Sequence, residues 1–136
     1  MAMVKFSSKE LAFINKYEIC RMATVSNGKP HLAPICYMFI NDHFYLATDY
    51  DTKKYRNLLK NRNVALTIDV YQPNKAVVVE GEAEIIEQGK EFREVYDKFY
   101  RKFAWVRATP WKEREAPFIN IKPLKKISWG LAIWLI

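Results

Sequence analysis

The 136-residue chain has four glycines, two cysteines and two histidines, and these shortages exclude several classes of site. It contains neither a G-x-G-x-x-G loop nor a Walker loop, which excludes the common glycine-rich nucleotide-binding motifs. It also lacks H-E-x-x-H and G-x-S-x-G, the motifs of zinc proteases and serine hydrolases. Cys20 and Cys36 form no C-x-x-C pair, and no metal-ligand spacing is present. If the chain is an enzyme, we expect a cofactor to carry the reaction.

Long hydrophobic runs are missing as well. No N-terminal run resembles a signal peptide, and no segment approaches the length that spans a membrane. The hydrophobic tail at residues 131–136 (LAIWLI) is too short to span, and we interpret it as a strand or as a surface that needs a partner. Two thiols in a domain with an adequate core favour a reducing compartment, so we expect a cytoplasmic protein.

The composition is that of one globular domain, residues 1–136, because 50% of the residues are hydrophobic and 15% are aromatic. The net charge of +7 suits an anionic partner such as a phosphate ligand, a nucleic acid or an acidic membrane surface. An excess of this size also serves solubility alone. The position of the charges therefore has to decide between these interpretations.

Hydrophobic periodicity predicts a mainly β protein with flanking helices. Asn27-Gly28 between two β-like runs is a strong hairpin signal, because both residues tolerate positive φ. Short strands joined by sequential hairpins favour an antiparallel barrel over a parallel sheet. The predicted strands are residues 19–25, 30–40, 43–48, 64–70 and 75–87, followed by one or two final strands over 118–122 and 126–131, joined at Pro123. The predicted helices are a short one capped by Ser7, residues 51–62 and residues 88–103, with 105–116 irregular.

The start of the second predicted helix is the best candidate for a ligand site. A helix start presents free N–H groups and the positive end of the dipole, which favour a phosphate. Lys53 and Lys54 add two cations there, and Arg21 could add a bidentate fork from the barrel wall. A solvated basic helix face explains the same residues equally well.

A resemblance favours the phosphate interpretation. The run RMATVSNGKPHLAPICYMF, followed by FYLATDYDTKKYRNLLKNRNVALTI, resembles the pyridoxamine 5′-phosphate oxidase-like family of FMN-binding split barrels. The similarity covers residues 18–86 well and residues 118–129 more loosely. The R-x-A-T strand, the P-H-x-x-P strand and the T/S-x-K-x-R-N-L helix start are specific in combination. The resemblance implies a six-stranded antiparallel split barrel that works as a homodimeric FMN-dependent oxidoreductase.

The resemblance also implies a role for each matching residue. It implies that Arg21 and Lys54 contact the FMN phosphate, with help from Thr52 and Lys53. Because the cofactor of this family lies at a dimer interface, Trp111 and Trp129 are candidates for covering its ring, although core or interface packing explains both slightly better. The remaining implied contacts lie along the ribityl chain and ring edge (Met22, Ala23 and Thr24), near the ring (Pro34, Ile35, Cys36 and Tyr37) and beside the phosphate (Ala47 and Thr48).

Two departures from the family pattern leave the chemistry open. The C-terminal Arg/His motif that binds substrate in pyridoxamine phosphate oxidases is absent from residues 131–136, so vitamin B6 oxidation is not expected. Ala76 stands where those oxidases place a Gln near the phosphate, which makes a deazaflavin or a haem conceivable. A haem would need His31 or His43 as its axial ligand. A non-catalytic flavin carrier and a nucleic-acid-binding barrel are further alternatives, but no basic strand interleaved with aromatic residues supports the latter.

Overall fold

A closed six-stranded antiparallel barrel, the fold expected from the sequence, forms the centre of the computed structural model, which describes residues 2–131. The strand order around the barrel is β1-β2-β3-β6-β5-β4. The strands are β1 (Ile19–Ser26), β2 (Lys29–Ile40), β3 (His43–Ala47), β4 (Asn63–Val70), β5 (Lys75–Ile86) and β6 (Phe118–Trp129), and the helices are α1 (Ser8–Lys16), α2 (Lys53–Lys60), α3 (Lys90–Lys102) and α4 (Ala104–Ala108).

The first hairpin has the turn that its sequence predicts. Asn27 and Gly28 have φ values of 53° and 72°, and Ser26 pairs with Lys29 across this two-residue turn. The side chains of β1 point alternately into and out of the barrel, and those of Cys20, Met22 and Thr24 are buried inside it. The intervening side chains, Arg21 among them, point outward. The outer face of β1 is therefore the part of this strand whose side chains a ligand can reach.

The final segment, predicted as one or two strands joined at Pro123, forms one continuous strand, β6, from Phe118 to Trp129. Its register against β5 shifts by one residue between Glu80 and Gly81, where Pro123 pairs with Gly81. A bulge accommodates a proline within a strand, since the ladder is interrupted there and needs no N–H donor. The Pro123 carbonyl accepts a hydrogen bond from the Val4 N–H at 3.1 Å.

Two hydrophobic cores hold the helices against the barrel. Ile14 of α1 and Leu58 of α2 are fully buried in the core inside the barrel. The second core lies between α3, α4 and the outer side of the sheet, and Phe99 and Phe118 are fully buried in it. Helix α4 corrects the prediction of an irregular segment over residues 105–116. The helix has only five residues and buries only Val106. It is therefore too short to show a periodic hydrophobic pattern in the sequence.

The remaining element boundaries agree with the predictions to within about two residues. The hydrophobic tail was predicted to be a strand or a partner surface, and its residues 132–136 lie outside the described residues. Among residues 2–131, no helix is long and apolar enough to cross a membrane.

Candidate functional site

Arg21 occupies the outer face of β1, where the sequence predicts a phosphate contact. Its Nη1 donates a 2.6 Å hydrogen bond to Oδ1 of Asp69 on β4. The two side chains are 51% and 36% exposed, so water screens this ion pair and its net contribution is small. An anion could compete for a guanidinium held this loosely.

Beside Arg21, the seam between β1 and β4 carries small side chains. The two strands pair over only three residue pairs, and Ala23 faces Ala65 in one of them. Both alanines are half-buried, and Thr67 lies opposite Arg21 on the same face. Methyl groups leave the backbone approachable, so a planar ligand can lie close to this part of the wall.

Four predicted contact residues turn their side chains into the barrel. Met22, Thr24, Ile35 and Tyr37 are at most 8% exposed. The Tyr37 hydroxyl donates to the Ile14 carbonyl at 2.5 Å, which ties the wall to α1. A ligand on the outer face can reach these positions only through their backbone groups.

The α2 start gathers the predicted phosphate residues. Thr52 caps the helix by accepting a hydrogen bond from the Tyr55 N–H at 3.3 Å, and its Oγ1 donates to the Asp49 carbonyl at 2.9 Å. Thr48, at the end of β3, lies 3.1 Å from Thr52 between their Oγ1 atoms. Lys53 and Lys54 are the first two residues of the helix, and no acidic residue lies in its first turn. Hydroxyls, free N–H groups and two cations thus meet where a phosphate would be favoured.

Trp111 lies next to Ala47 and Thr48, and the three line one cavity of about 320 Å³. Its Nε1 donates to the Ala116 carbonyl at 3.1 Å, and its ring stacks on Trp105 with centroids 6.1 Å apart. Trp111 therefore serves the packing of the second core and also one wall of this cavity.

Trp129 lies elsewhere, at the end of β6. It is 45% exposed, and its Nε1 donates to Oδ1 of Asn74 at 3.0 Å. It pairs with Ala76, which pairs in turn with Asp69, the partner of Arg21. Trp129 and Arg21 therefore share the outer surface of the sheet, whereas Trp111 lines the cavity beside the end of β3.

Neither cysteine is a reactive thiol at neutral pH. Burial raises the pKa of Cys20 to about 12, and burial also raises the pKa of the half-buried Cys36. A thiol with a raised pKa carries little thiolate, which is the nucleophilic form. Among the described residues, no three His, Cys, Asp or Glu side chains are grouped to hold a metal ion.

Asn57, for which the sequence predicts no role, joins α2 to the barrel. The side chain is 3% exposed, and its Nδ2 donates to Thr24 Oγ1 at 3.0 Å. This bond fixes the helix start relative to β1. The sequence does contain a signal for this contact. Asn57 is a poor helix former, yet it lies within the R-N-L motif of the helix, next to the buried Leu58.

A second unexpected feature is a polar network within the outer layer. Asn120 Nδ2 donates to Glu91 Oε2 at 2.8 Å and to the Tyr45 hydroxyl at 3.2 Å. Its Oδ1 lies 2.6 Å from His43 Nδ1, so that nitrogen carries the proton and donates. Burial and the hydrogen bond to Glu91 raise the pKa of Tyr45. The network joins β3, β6 and α3, three segments distant in sequence, which is why local patterns do not reveal it.

A family model described as pyridoxamine 5′-phosphate oxidase matches residues 6–127 of the chain. The chain belongs to this family. The match extends over helices α1 to α4, strands β1 to β5 and β6 as far as residue 127, so the resemblance seen in the motifs holds for nearly the whole domain. Membership agrees with the barrel topology, and no curated protein matches the chain in sequence.

Solved structures of low sequence identity share the family fold. A conserved hypothetical protein of Mycobacterium tuberculosis is 24% identical, with a TM-score of 0.75 over 96% of this chain and 89% of that one. A FAD-binding protein of Mesorhizobium loti is 19% identical, with a TM-score of 0.74 over 94% and 96%. The heme storage protein HutZ of Vibrio cholerae is 13% identical, with a TM-score of 0.77 over 93% and 94%. At these identities the comparisons establish the fold, and proteins with this fold differ in what they bind.

Proposed function

We propose that this protein is a flavin-dependent oxidoreductase that binds FMN at the interface of a homodimer. The observation that carries the proposal is the α2 start, where Thr48, Thr52, Lys53 and Lys54 meet without an acidic residue in the first turn. The family match and the FAD-binding structural neighbour support a flavin in this fold.

The residues present fit a flavin phosphate and a planar ring. In the proposal, Lys54 and the α2 N–H groups bind the phosphate, while Lys53, Thr52 and Thr48 complete its shell. Arg21 also binds the phosphate, giving up its hydrogen bond to Asp69 to do so. Bound FMN would supply hydride and electron transfer between a donor and a small acceptor. The chain itself would position the flavin through the small-residue seam at Ala23 and Ala65, and would exclude water with tryptophan side chains.

Haem is the second candidate, because the fold neighbours include a heme storage protein. His43 is one of the two alternative axial ligands, and its Nδ1 is held by Asn120, so Nε2 is the ring nitrogen that faces away from this bond and could bind iron. Deazaflavin and a non-catalytic flavin carrier also remain alternatives. The visible spectrum of the purified protein separates flavin, deazaflavin and haem directly. A Soret band with no flavin absorption would reject the flavin proposal.

The phosphate site is tested by comparing FMN with riboflavin, which lacks the phosphate. We expect FMN to bind more tightly, and Lys54→Ala to weaken FMN binding by about tenfold or more, because a charge-assisted contact contributes about 1.5–3 kcal/mol. Titration of the cofactor-free protein by flavin fluorescence measures both. Lys98→Ala on α3 is the matched control, since it removes an exposed lysine from a different helix. Equal affinities for FMN and riboflavin would contradict the site.

The substrate and the location stay predictions. That the protein does not oxidise vitamin B6 also stays a prediction. Turnover of pyridoxine phosphate at ordinary enzyme rates would contradict this expectation. The cytoplasmic location rests only on the two thiols.

A further inference from the structure

A basic groove lies beside the proposed phosphate site, and Lys53 belongs to both. We define it by Lys29, Lys53, Arg56, Asn57, Leu59 and Lys60, and its volume is about 480 Å³. This volume is within the roughly 300–1,000 Å³ that is typical of small-molecule sites. The groove runs between the β1–β2 turn and one face of α2.

The charges of the groove have one sign. Lys53, Arg56 and Lys60 recur at three- and four-residue spacing and so share a face of α2, and Lys29 approaches from the hairpin. Among the described residues, no carboxylate lines the groove. Like charges at these spacings destabilise an isolated helix, and a concave surface concentrates their field. A bound polyanion would relieve this repulsion.

Two further groups point to more than a bare phosphate. Asn57 is 3% exposed and lines the groove, and its Nδ2 is occupied by Thr24. Within residues 2–131, its Oδ1 accepts no hydrogen bond, so it can receive one from a ligand hydroxyl or amino group. Leu59, 56% exposed, adds an apolar wall on which a base can rest. Cations, the amide oxygen of Asn57 and an apolar wall together suit an adenosine diphosphate group.

We propose that the groove binds the adenylate half of FAD, so that the protein takes FAD in preference to FMN. This inference rests on the proposed flavin site, because the groove and that site share Lys53. A second phosphate joined to the flavin phosphate enters the groove past Lys53. It meets Lys60, Arg56 and Lys29 there, and the adenosine lies against Leu59 with a hydrogen bond to Asn57.

The test compares FAD, FMN and ADP on the cofactor-free protein by calorimetry. We expect FAD to bind at least about tenfold more tightly than FMN, the effect of one added charge-assisted contact. Lys60→Ala should remove most of that preference while FMN affinity stays within about twofold, and Lys29→Ala should act in the same way. Lys98→Ala is the control, with the same loss of charge outside the groove, and should leave the preference intact.

Each contrary outcome has a distinct meaning. Equal affinity for FAD and FMN, or equal losses in Lys60→Ala and Lys98→Ala, would overturn the inference and leave the flavin site standing. A third outcome is that ADP binds to the FMN-loaded protein, that Lys60→Ala abolishes this binding, and that FAD binds no more tightly than FMN. This outcome would assign the groove to a separate dinucleotide, such as a nicotinamide donor, and would overturn the FAD assignment. Absence of binding by either flavin would instead reject the proposed function.

Discussion

At the scale of single residues, Glu10 links the stability of the fold to pH. Its carboxylate accepts 2.6 Å hydrogen bonds from Lys126 Nζ and Ser128 Oγ, and a 2.8 Å bond from the Ser7 N–H in the capping box of α1. Burial alone would raise the pKa, but these bonds and the Lys126 charge outweigh it, so the pKa of Glu10 falls to about 2. The ionised form is therefore favoured in the folded state.

Glu10→Gln should lower the free energy of unfolding at neutral pH. It should also reduce the loss of that free energy as the pH falls. An unfolded glutamate titrates near 4.5 and the folded one near 2, so the stabilisation is complete above about pH 4.5 and disappears as pH falls toward 2. The pKa difference corresponds to on the order of 3 kcal/mol. Urea unfolding at pH 7 and pH 3 measures the effect, with Glu82→Gln on the exposed side of β5 as the control. Equal pH slopes in wild type and Glu10→Gln would contradict the argument.

At the scale of elements, the junction of β5 with β6 depends on a glycine. A Cβ at Gly81 would collide with the Lys122 carbonyl oxygen and would lie 3.1 Å from Ile121 Cγ2. The oxygen belongs to the backbone of a paired strand, so it cannot move aside without disturbing the ladder. This close approach also explains why the bulge occurs here, next to Pro123.

Gly81→Ala should destabilise the protein by about 1–3 kcal/mol, the usual cost of overpacking. Glu82→Ala, at the next position and facing solvent, should change stability by less than about 0.5 kcal/mol. Thermal or urea unfolding compares the two variants. If Gly81→Ala were as stable as Glu82→Ala, the contact between the strands would be looser than the structure shows.

Local elements were predictable because their signals are local. The Asn27-Gly28 turn, the Ser7 cap and the alternation in β4 each lie within a few residues, and the structure confirms all three. The features that the sequence left open or missed depend on contacts distant in sequence. Pro123 indicates a break unless its partner Gly81 is known, and α4 depends on Val106 entering a core built by α3 and the sheet.

The candidate site shows the same division. The sequence indicates the cations of α2 and the fork at Arg21, but not that Arg21 pairs with Asp69, 48 residues away. Nor does it indicate that Asn57 fastens α2 to Thr24, or that Trp111 and Trp129 lie in separate regions. The roles that the resemblance implies for these residues stay predictions.

At the scale of the whole molecule, flavin binding and dimerisation should be coupled. The outer surface exposes large apolar side chains, with Leu32 65%, Ile127 62% and Trp129 45% accessible. These side chains are candidates for an interface, because a contiguous exposed apolar patch typically marks one. If both chains of a two-fold dimer hold each flavin, FMN binds the dimer better than the monomer and must strengthen the dimer in return.

Sedimentation of cofactor-free and FMN-loaded protein across a dilution series measures this coupling. A ligand at one hundred times its dissociation constant stabilises the state it binds by about 2.7 kcal/mol, so two sites should lower the dimer dissociation constant by orders of magnitude. Trp129→Ala should weaken the loaded dimer, and Tyr100→Ala, which removes an aromatic side chain of similar exposure from α3, is the control. A dimer constant that FMN leaves unmoved would place the site within one chain.

The closing strand has a consequence for how the chain is made. β6 lies between β3 and β5, so its partners along the chain are residues 43–47 and 75–86. A ribosome delivers β1 to β5 well before residues 118–129, and until then β3 and β5 each keep an unpaired edge. Unpaired edges recruit other strands, and pairings of long sequence separation form slowly. The nascent protein is therefore most exposed to misassembly just before its last strand emerges, and a chaperone that shields open sheets would act in that interval.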